Sequence, residues 1–387
     1  MTPGARISAA IEILDGTSDG MPAEQALTRW ARRSRFAGSK DRAAIRDHVF
    51  DVLRCRRTAA HYGKGSSGRA LMIGHLHAAA ADLDALFDGV GHAPAPLSET
   101  ERQFPQAPTD KATLWNLPDW LIAPFEQALG PDAASTASAL QRRAPVFLRV
   151  NIARTNRAAA VDLLREQGIE TAINPLAETA LTVLEGARKI RNSPCFTEGY
   201  VELQDAASQA VVEALPPGAR VLDYCAGGGG KALAIAAQDG RMVFAHDADP
   251  KRMGDIAPRA ARAGSRITVM DTGDLSDCPG FDVVLCDAPC SGSGAWRRSA
   301  EGKWTLTQDR LDRLGETQDQ ILAQAARSVA AGGVLVYATC SILRAENENR
   351  IETFLAGNPG WICVWSRRFD LSEQGDGFFT AHLTRDR

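Results

Sequence analysis

The fold is predicted by the stretch Val221-Leu222-Asp223-Tyr224-Cys225-Ala226-Gly227-Gly228-Gly229-Gly230-Lys231, which lies just past the middle of the 387-residue chain. Its first residues have the apolar pattern of a buried strand, the glycines predict a tight turn, and a helical pattern follows. A strand that runs through glycines into a helix is how α/β folds bring backbone N–H groups against a nucleotide-like ligand. Four successive glycines cost too much chain entropy to serve as an ordinary turn. The stretch therefore predicts the first strand and the ligand loop of an α/β domain.

Three kinds of ligand loop compete for this stretch. A P-loop requires the pattern GxxxxGK[ST], and Cys225 and Ala232 stand where its first glycine and its hydroxyl residue belong. A dinucleotide loop matches at Gly227, Gly229 and Ala232, but four glycines in a row make that match easy. An S-adenosylmethionine loop also uses glycines and has no pyrophosphate to hold. Asp247 ends the next predicted strand, where a carboxylate can accept hydrogen bonds from the ribose of either cofactor. The loop alone locates a cofactor site without naming the cofactor.

Apolar strands alternate with helical segments from Gly218 onwards, and this pattern predicts a doubly wound, mostly parallel sheet. The predicted strands are Arg220–Asp223, Met242–Asp247, Arg266–Met270, Phe281–Asp287, Gly333–Cys340, Trp361–Trp365 and Gly377–Leu383. The last two have no full helix between them, so they predict an antiparallel edge.

Four sections of the chain differ in composition and in the periodicity of their apolar residues. Residues 1–87 are rich in Ala and Leu with helical periodicity and predict an all-α domain, and residues 88–110 carry four prolines and predict a linker. Residues 111–215 mix helical patterns with two short strands and predict a small α+β subdomain. Residues 216–387 form the α/β domain.

Composition excludes several classes of protein. The chain has 44 Lys and Arg against 47 Asp and Glu, a net charge of −3, and 44% hydrophobic residues, as an ordinary globular protein does. Its apolar runs are shorter than the ~20 residues of a membrane-spanning helix, and no signal peptide is apparent, so a cytoplasmic monomer is expected. The eight cysteines include no CxxC pair and no zinc spacing, which predicts free thiols and no metal site.

Two of the cysteines lie where a reaction can use them. Cys290 follows the fourth predicted strand in an Asp-Ala-Pro-Cys turn, and Cys340 ends the fifth. In a doubly wound sheet whose order reverses beside the first strand, the first, fourth and fifth strands are neighbours, and ligands bind beyond their carboxyl ends. We therefore expect both thiols near the glycine loop, whereas Cys225, Cys278 and Cys286 are interpreted as turn or core residues.

A thiol, a carboxylate and a methyl donor together fit methylation of cytosine at carbon 5. That carbon is too weak a nucleophile until a thiolate adds to carbon 6, and Asp287 is placed to contact the ring nitrogen N3 as charge develops. The reactive thiol needs its pKa lowered from about 8.5, for which Lys231 and Arg297 are candidate cations. By this chemistry alone, either cysteine can be the nucleophile.

At these residues the chain resembles the Nop/Sun family of RNA (cytosine-5) methyltransferases, and in detail the bacterial 16S ribosomal RNA branch of that family. The resemblance runs from Tyr200 almost continuously to the C-terminus. It is carried by the segments Gln204-Asp205, Ser208-Gln209, Asp287–Gly294, Lys303-Trp304, Tyr337–Ser341, Glu346–Glu348 and Asp376–Phe379. It implies a Rossmann-like methyltransferase fold with S-adenosylmethionine as cofactor.

The resemblance also implies roles for individual residues. Cys340 is expected to be the nucleophile, Cys290 to assist product release, and Asp287 to contact cytosine N3. The implied cofactor contacts are Cys225, Ala226, Gly227, Gly228, Gly229, Gly230, Lys231, Asp247, Asp274 and Asp287, with Asp271 as an alternative to Asp274. The family loop usually reads Ala-Pro-Gly-Gly-Lys-Thr. The proline and threonine are missing here, which predicts a more flexible loop and weaker cofactor binding.

The N-terminal domain more faintly resembles the NusB-like RNA-binding domain of the same branch. From Thr28 to Thr58 the chain has ten Lys and Arg against three Asp, a pattern that suits phosphate binding. The RNA-binding residues predicted for the whole chain are Arg29, Arg32, Arg33, Arg35, Lys40, Arg42, Arg297 and Lys303. The expected partner is 16S ribosomal RNA, with transfer RNA as an alternative. The target base must be unstacked for a thiol to reach it.

Three other functions stay open at this point. They are a nicotinamide oxidoreductase, which the glycine loop and Asp247 also fit, a non-catalytic RNA-binding assembly factor, and a DNA cytosine methyltransferase. The last would need only the Pro-Cys thiol and would leave Cys340 unexplained.

Overall fold

The computed structural model describes residues 1–18 and 20–385, which form two compact units. The helical unit consists of Met1–Arg143 and a short later segment, Trp296–Thr305. The sheet unit consists of Ala144–Ala295 and Leu306–Arg387.

The helical unit is built on amphipathic helices whose apolar faces meet in one core. Ile45, Val49 and Val52 recur at helical spacing and are fully buried, as the periodicity predicts. The helices are α1 (Pro3–Ser18), α2 (Ala23–Arg33), α3 (Ser39–Arg54), α4 (Arg56–Gly63), α5 (Gly68–Ala78), α6 (Leu83–Leu86), α7 (Lys111–Trp115), α8 (Asp119–Leu129) and α9 (Ala133–Leu140). Side-chain oxygens of Ser67 and Asp110 cap α5 and α7.

Residues 111–143 pack with the helical unit rather than with the strands that follow them. Asn116 is fully buried at the end of α7, and its Oδ1 accepts hydrogen bonds from the backbone N–H groups of Arg57 and Thr58 at the start of α4. These bonds satisfy amides that a helix start leaves without partners. The strand-containing unit begins at Ala144, and the bounds 111–215 stay a prediction for the small α+β subdomain.

The segment Trp296–Thr305 ends in a short helix, α16 (Gly302–Thr305), and belongs to the helical unit. Trp296 is buried, and the indole Nε1 of Trp304 donates to the carbonyl of Leu53 at 2.7 Å. The carboxylate of Glu301 accepts a hydrogen bond from the N–H of Ala23 at 2.8 Å, at the start of α2. No pattern in the sequence predicted that this segment leaves the α/β domain.

The first part of the sheet unit is a small antiparallel sheet. It contains β1 (Val146–Val150), β2 (Glu170–Ile173), β3 (Ala180–Glu185) and β4 (Val201–Leu203) in the order β2-β3-β1-β4. Two helices, α10 (Arg157–Glu166) and α11 (Pro194–Thr197), accompany it. Leu148, Leu164 and Leu181 are fully buried in its core. This is the α+β arrangement that the sequence predicted from Pro145 onwards.

The larger sheet has seven strands in the order β10-β11-β9-β8-β5-β6-β7. The strands are β5 (Arg220–Asp223), β6 (Met242–Ala245), β7 (Ile267–Val269), β8 (Phe281–Asp287), β9 (Val329–Thr339), β10 (Trp361–Phe369) and β11 (Phe378–Arg385). The five strands from β9 to β7 are parallel, and β10 and β11 form an antiparallel edge. The Rossmann-like class, the antiparallel edge and the adjacency of β5, β8 and β9 are confirmed.

Helices α12 (Ala206–Glu213), α13 (Gly230–Ala236), α14 (Ile256–Ala263), α15 (Asp274–Asp277), α17 (Gln308–Ala325) and α18 (Glu348–Gly357) complete the sheet unit. The strands are buried on both faces, as Val221, Val283 and Leu335 show with no exposed surface. The structure thus places the carboxyl ends of β5, β8 and β9 side by side.

Among the described residues, no helix is long and apolar enough to cross a membrane, and no group of His, Cys, Asp or Glu is arranged to hold a metal ion. All eight cysteines lie in the described part of the chain and are free thiols.

Candidate active site

Cys290 and Cys340 meet at the carboxyl edge of the large sheet. Asp287 at the end of β8 lies opposite Ala338 on β9, and the two cysteines follow shortly after these paired positions. Their Sγ atoms are 3.4 Å apart, within hydrogen-bond distance for sulfur. Both residues are partly buried. The strand order therefore brings together the two thiols that the sequence singled out.

The turn after β8 is fixed against the Thr-Cys loop by its backbone. The N–H of Ala288 donates to the carbonyl of Ala338, and the N–H of Gly294 donates to the carbonyl of Cys340, both at 2.9 Å. A Cβ at Gly294 would lie 1.9 Å from the carbonyl oxygen of Gly377, so only glycine allows this close approach. The two cysteine-bearing loops are consequently one packed unit.

The glycine loop has the backbone conformation that its composition predicts. Gly227 and Gly229 have positive φ angles of +49° and +78°, and α13 begins at Gly230. A Cβ at Gly229 would also meet Ile256 at 2.8 Å. The N–H of Gly227 donates to the Asp247 carboxylate at 2.9 Å, which ties the loop to the end of β6. The predicted loop residues therefore lie together on one edge of the sheet.

Arginines surround the proline-less loop. Arg149 is almost fully buried on β1, and its guanidinium donates to the carbonyl of Gly230 at 2.7 Å. Arg259 on α14 donates to the carbonyl of Gly228. These contacts hold the loop from outside, where the family has a proline within it. Arg149 was not recognised in the sequence, since an arginine inside an apolar strand gives no indication of what it contacts.

Lys231 and two carboxylates form a buried charged group beside the cysteines. The ammonium of Lys231 is 2.6 Å from the Asp287 carboxylate. Although burial alone would lower the pKa of Lys231, the charge of Asp287 raises it above its ordinary value. Burial and the nearby charge of Asp287 raise the pKa of Asp223 to about 7. Both oxygens of Asp223 are buried at the end of β5, where the backbone N–H of Ala232 also acts on the carboxyl.

These residues fit S-adenosylmethionine. The cofactor is a sulfonium cation with an ammonium group and ribose hydroxyls, and the edge offers the glycine cradle and the Asp247 carboxylate. Asp247 is almost fully buried and already pairs with Arg252 at 3.1 Å, so its position is fixed. The cradle contains no P-loop lysine–hydroxyl pair for phosphates, since Ala232 follows Lys231.

The third acidic contact remains open between two aspartates. Asp274 begins α15, and its Oδ2 accepts from the N–H of Asp271 at 3.1 Å, so both acids belong to one turn beyond β7. Both are exposed. His246, which the sequence reasoning missed, joins this turn to the glycine loop through the carbonyl of Tyr224 at 2.8 Å and the hydroxyl of Thr272 at 2.9 Å.

The remaining cysteines have the surroundings of unreactive thiols. Cys286 is fully buried within β8, and burial raises its pKa well above the ordinary value. Burial also raises the pKa of Cys225, with the charge of Asp223 as the next cause. Cys278 lies partly buried between α15 and β8. The interpretation of these three as turn or core residues agrees with their surroundings.

The predicted RNA-binding residues divide into two groups. Arg29, Arg32, Arg35 and Lys40 are exposed on the helical unit and form no ion pair with any residue that the structure describes. Arg33 is also exposed but pairs with Glu12 at 2.7 Å, and Arg42 donates to the carbonyl of Ala37 at 2.9 Å. The side chains of the first group are therefore available to bind phosphate.

Arg297 and Lys303 are placed differently from the prediction. Their side chains are 1% and 0% exposed within the helical unit. The Lys303 ammonium donates to the carbonyl of Arg54 at 2.8 Å, and the Arg54 Nε donates to the carbonyl of Arg297 at 2.8 Å. Both side chains are therefore buried in the structure, whereas the prediction expected them to contact RNA. Both residues also belong to the helical unit, whereas the two thiols belong to the sheet unit.

The buried Lys303 predicts a pH-dependent stability of the helical unit. Burial lowers the pKa of Lys303 from 10.5 to about 7, with Cys55 and Arg54 as the nearest other titratable groups. Between these two values the unfolded chain binds more protons than the folded one, so the free energy of unfolding rises with pH, by at most about 1.4 kcal/mol per pH unit. Urea unfolding of the wild type and Lys303→Met at pH 7, 8 and 9, followed by hydrogen exchange of α1 to α5, measures this. Equal pH slopes for the two proteins would contradict it.

A parallel sheet with a glycine loop after its first strand, acids at the ends of the following strands and two thiols on the same edge defines an S-adenosylmethionine-dependent methyltransferase. The sequence model described as "16S rRNA methyltransferase RsmB/F" matches residues 210–384, and the model described as "Methyltr_RsmF/B-like, ferredoxin-like domain" matches residues 117–191. The chain belongs to the RsmB/F family of methyltransferases. This membership rejects the nicotinamide oxidoreductase alternative.

The relatives extend over most of the chain. "Ribosomal RNA small subunit methyltransferase B" of Xylella fastidiosa (strain Temecula1) is 32% identical over 389 residues, which cover 94% of this chain and 86% of that protein. The protein of the same name from Klebsiella pneumoniae (strain 342) is 34% identical over 288 residues, 70% of this chain and just 66% of that protein. A crystal structure of a methyltransferase homolog from Pyrococcus horikoshii matches with a TM-score of 0.61 at 25% identity, over 72% of this chain and 98% of that one.

Proposed function

We propose that this chain methylates carbon 5 of a cytosine in 16S ribosomal RNA through a covalent bond between Cys340 and carbon 6 of the base. The observation that carries the proposal is the 3.4 Å separation of the Cys290 and Cys340 Sγ atoms on the edge that also holds the Lys231–Asp287 pair. The names of the relatives support ribosomal RNA as the substrate. A DNA cytosine methyltransferase would leave the second thiol unexplained.

The surroundings of the two thiols differ in a way that supports distinct roles. The charge of Cys340 is one of the causes that raise the pKa of Lys231, so a cation lies near this sulfur, and a nearby cation stabilises a thiolate. The hydrogen bond with Cys340 is the largest cause that raises the pKa of Cys290 well above its ordinary value, followed by burial. We therefore assign the thiolate to Cys340 and the neutral, hydrogen-bond-donating thiol to Cys290.

The side chains act in sequence on the base. The Cys340 thiolate forms a bond to carbon 6, and the π electrons of the carbon 5–carbon 6 bond shift to the carbon 4–carbon 5 bond. The π electrons of the carbon 4–N3 bond shift to N3, where Asp287 supplies the proton that hydrogen-bonds to the developing charge. When bound, S-adenosylmethionine supplies an electrophilic methyl group to the carbon 5 that this addition activates. Water then removes the carbon 5 proton, the electrons of that bond restore the double bond, and the carbon–sulfur pair returns to Cys340. The Cys290 thiol donates a hydrogen bond to the departing sulfur.

Phosphate contacts are proposed for the exposed basic residues of the helical unit, Arg29, Arg32, Arg35 and Lys40, with Arg33 and Arg42 beside them. Because such contacts carry no sequence information, they position the RNA without selecting the target base. They are expected to make RNA binding weaken as salt concentration rises.

Tritiated S-adenosylmethionine tests the proposed activity. The purified wild-type chain is incubated with labelled cofactor and either 16S ribosomal RNA or transfer RNA. A Cys290→Ala/Cys340→Ala double variant, treated in the same way, is the control. We expect label only in 16S ribosomal RNA and only with the wild type, and digestion to nucleosides should identify 5-methylcytidine. Label in transfer RNA alone would show that the substrate is transfer RNA and not 16S ribosomal RNA. Cofactor binding without label in any RNA would favour a non-catalytic assembly factor.

A further inference from the structure

Glu346 holds both cysteine-bearing loops, although neither its spacing nor its chemistry gave it a role in the sequence. Its side chain is fully buried at the end of a short turn, Arg344–Glu346, before α18. One carboxylate oxygen accepts from the N–H of Ser291 at 2.7 Å and from the amide of Gln318 at 3.2 Å. The other accepts from the hydroxyls of Ser291 and Ser341, both at 2.5 Å.

Ser291 and Ser341 are the residues that directly follow Cys290 and Cys340. A single carboxylate thus bonds the neighbour of each thiol, and four donors converge on it, which is the environment of an ionised acid. Other contacts join the loops independently, since the hydroxyls of Ser293 and Ser341 are 2.9 Å apart. Glu346 is therefore not the only tie between the loops, but it is the charged one.

We propose that Glu346 is a positioning residue for the two thiols: its carboxylate fixes the Cys290 and Cys340 loops in one register and keeps the Cys290 thiol in its neutral, donating form. The thiols belong to the proposed function, so the second role rests on that function. The first rests only on the contacts described above.

Electrostatics supports the second role. The charge of Glu346 is one of the causes that raise the pKa of Cys290, after the Cys340 hydrogen bond, burial and the charge of Cys340. Tyr337 is a further titratable group near Cys290, and its hydroxyl donates to the carbonyl of Glu346 at 2.7 Å. With a negative charge beside it, Cys290 holds its proton, and the thiolate is left to Cys340.

Thiol alkylation tests the proposal without RNA. In a Cys340→Ser background, Glu346→Gln keeps the size of the side chain and removes its charge, so the Cys290 thiolate fraction should rise. We expect alkylation of Cys290 by iodoacetamide at pH 8, followed by mass spectrometry, to speed up by roughly tenfold, since one pKa unit changes the thiolate fraction tenfold. Glu352→Gln is the matched control, because Glu352 is exposed on α18 and pairs with Arg344 at 3.6 Å. Equal rates of Cys290 alkylation with and without the Glu346→Gln substitution would overturn the proposal.

Adduct lifetime provides the second measurement. With cofactor and RNA present, Glu346→Gln should prolong the denaturant-resistant protein–RNA adduct by about tenfold, whereas Glu352→Gln should leave it unchanged. Ser341→Ala removes one of the carboxylate's bonds to the Cys340 loop and keeps the charge, so it tests the register alone: the rate of adduct formation should fall by about tenfold or more, and an unchanged rate would overturn that role. Faster alkylation of Cys290 together with no adduct in any variant, Cys290→Ala included, would support the effect of the Glu346 charge on Cys290 and reject the proposed covalent chemistry.

Discussion

Cys340→Ala is expected to abolish methyl transfer, with a loss of roughly 10³-fold or more in turnover. Without a thiolate to add at carbon 6, carbon 5 of cytosine stays too weakly nucleophilic to accept a methyl group. The loss should be in turnover rather than in cofactor affinity, because the glycine loop and Asp247 do not depend on this sulfur. Tritium incorporation into 16S ribosomal RNA and calorimetric binding of S-adenosylmethionine measure the two quantities separately. The same variant should form no covalent adduct with RNA.

Cys363→Ala serves as the control for cysteine removal, since Cys363 is exposed on the edge strand β10. It should methylate RNA as the wild type does. Substantial turnover by Cys340→Ala would mean that the other thiol, or none, attacks the base.

Cys290→Ala is expected to have the opposite signature, accumulation of a stable protein–RNA adduct. The Sγ of Cys290 lies 3.4 Å from that of Cys340 and is the nearest group that can donate a hydrogen bond to the departing sulfur. Without it, addition and methylation proceed but release slows, so turnover should fall by about 10²-fold or more while the adduct persists. Denaturing gel electrophoresis of the protein after incubation with RNA and cofactor shows the adduct as a shifted band.

The pair of variants decides the roles together. Trapping by Cys290→Ala and no adduct with Cys340→Ala fits the assignment made from the surroundings of the thiols. Trapping by Cys340→Ala alone would exchange the roles. The double variant should give neither product nor adduct, which excludes a covalent bond through Lys231 or another nucleophile.

The parallel sheet could be predicted because its signals are local. Gly227 and Gly229, between β5 and α13, have positive φ angles that other residues adopt only at a cost in free energy. Apolar runs of strand length indicate the buried strands. From the strand order alone, the meeting of Cys290 and Cys340 follows, since carboxyl ends of adjacent parallel strands share one edge.

The polar network beneath the thiols could not be predicted in the same way. Glu346 and Gln318 come from segments that are far apart in sequence, and their pairing with Ser291 depends on how α17 and the turn before α18 pack. A buried acid in a polar run has no periodicity to distinguish it from an exposed one. Burial of Lys303 was missed for a related reason, because its chemistry suggested phosphate whereas its packing gives it a carbonyl partner.

The limits of the two units could not be predicted from local sequence patterns either. Residues 111–143 have the same helical periodicity as other helices, and contacts such as those of Asn116 with α4 show which helices they pack against. The prolines of residues 88–110 correctly indicate an irregular segment between α6 and α7, but this segment lies within the helical unit and does not separate two units.

The segment Trp296–Thr305 has a consequence for the stability of the helical unit. Between Ala295, at the end of the Pro-Cys turn, and Leu306, the chain leaves the sheet unit and supplies buried side chains to the helical unit. The helical unit is therefore assembled from two separate stretches of the chain, and a fragment that ends at Arg143 lacks the buried side chains of Trp296, Arg297 and Lys303. Such a fragment should have a lower free energy of unfolding than the same unit in the intact chain.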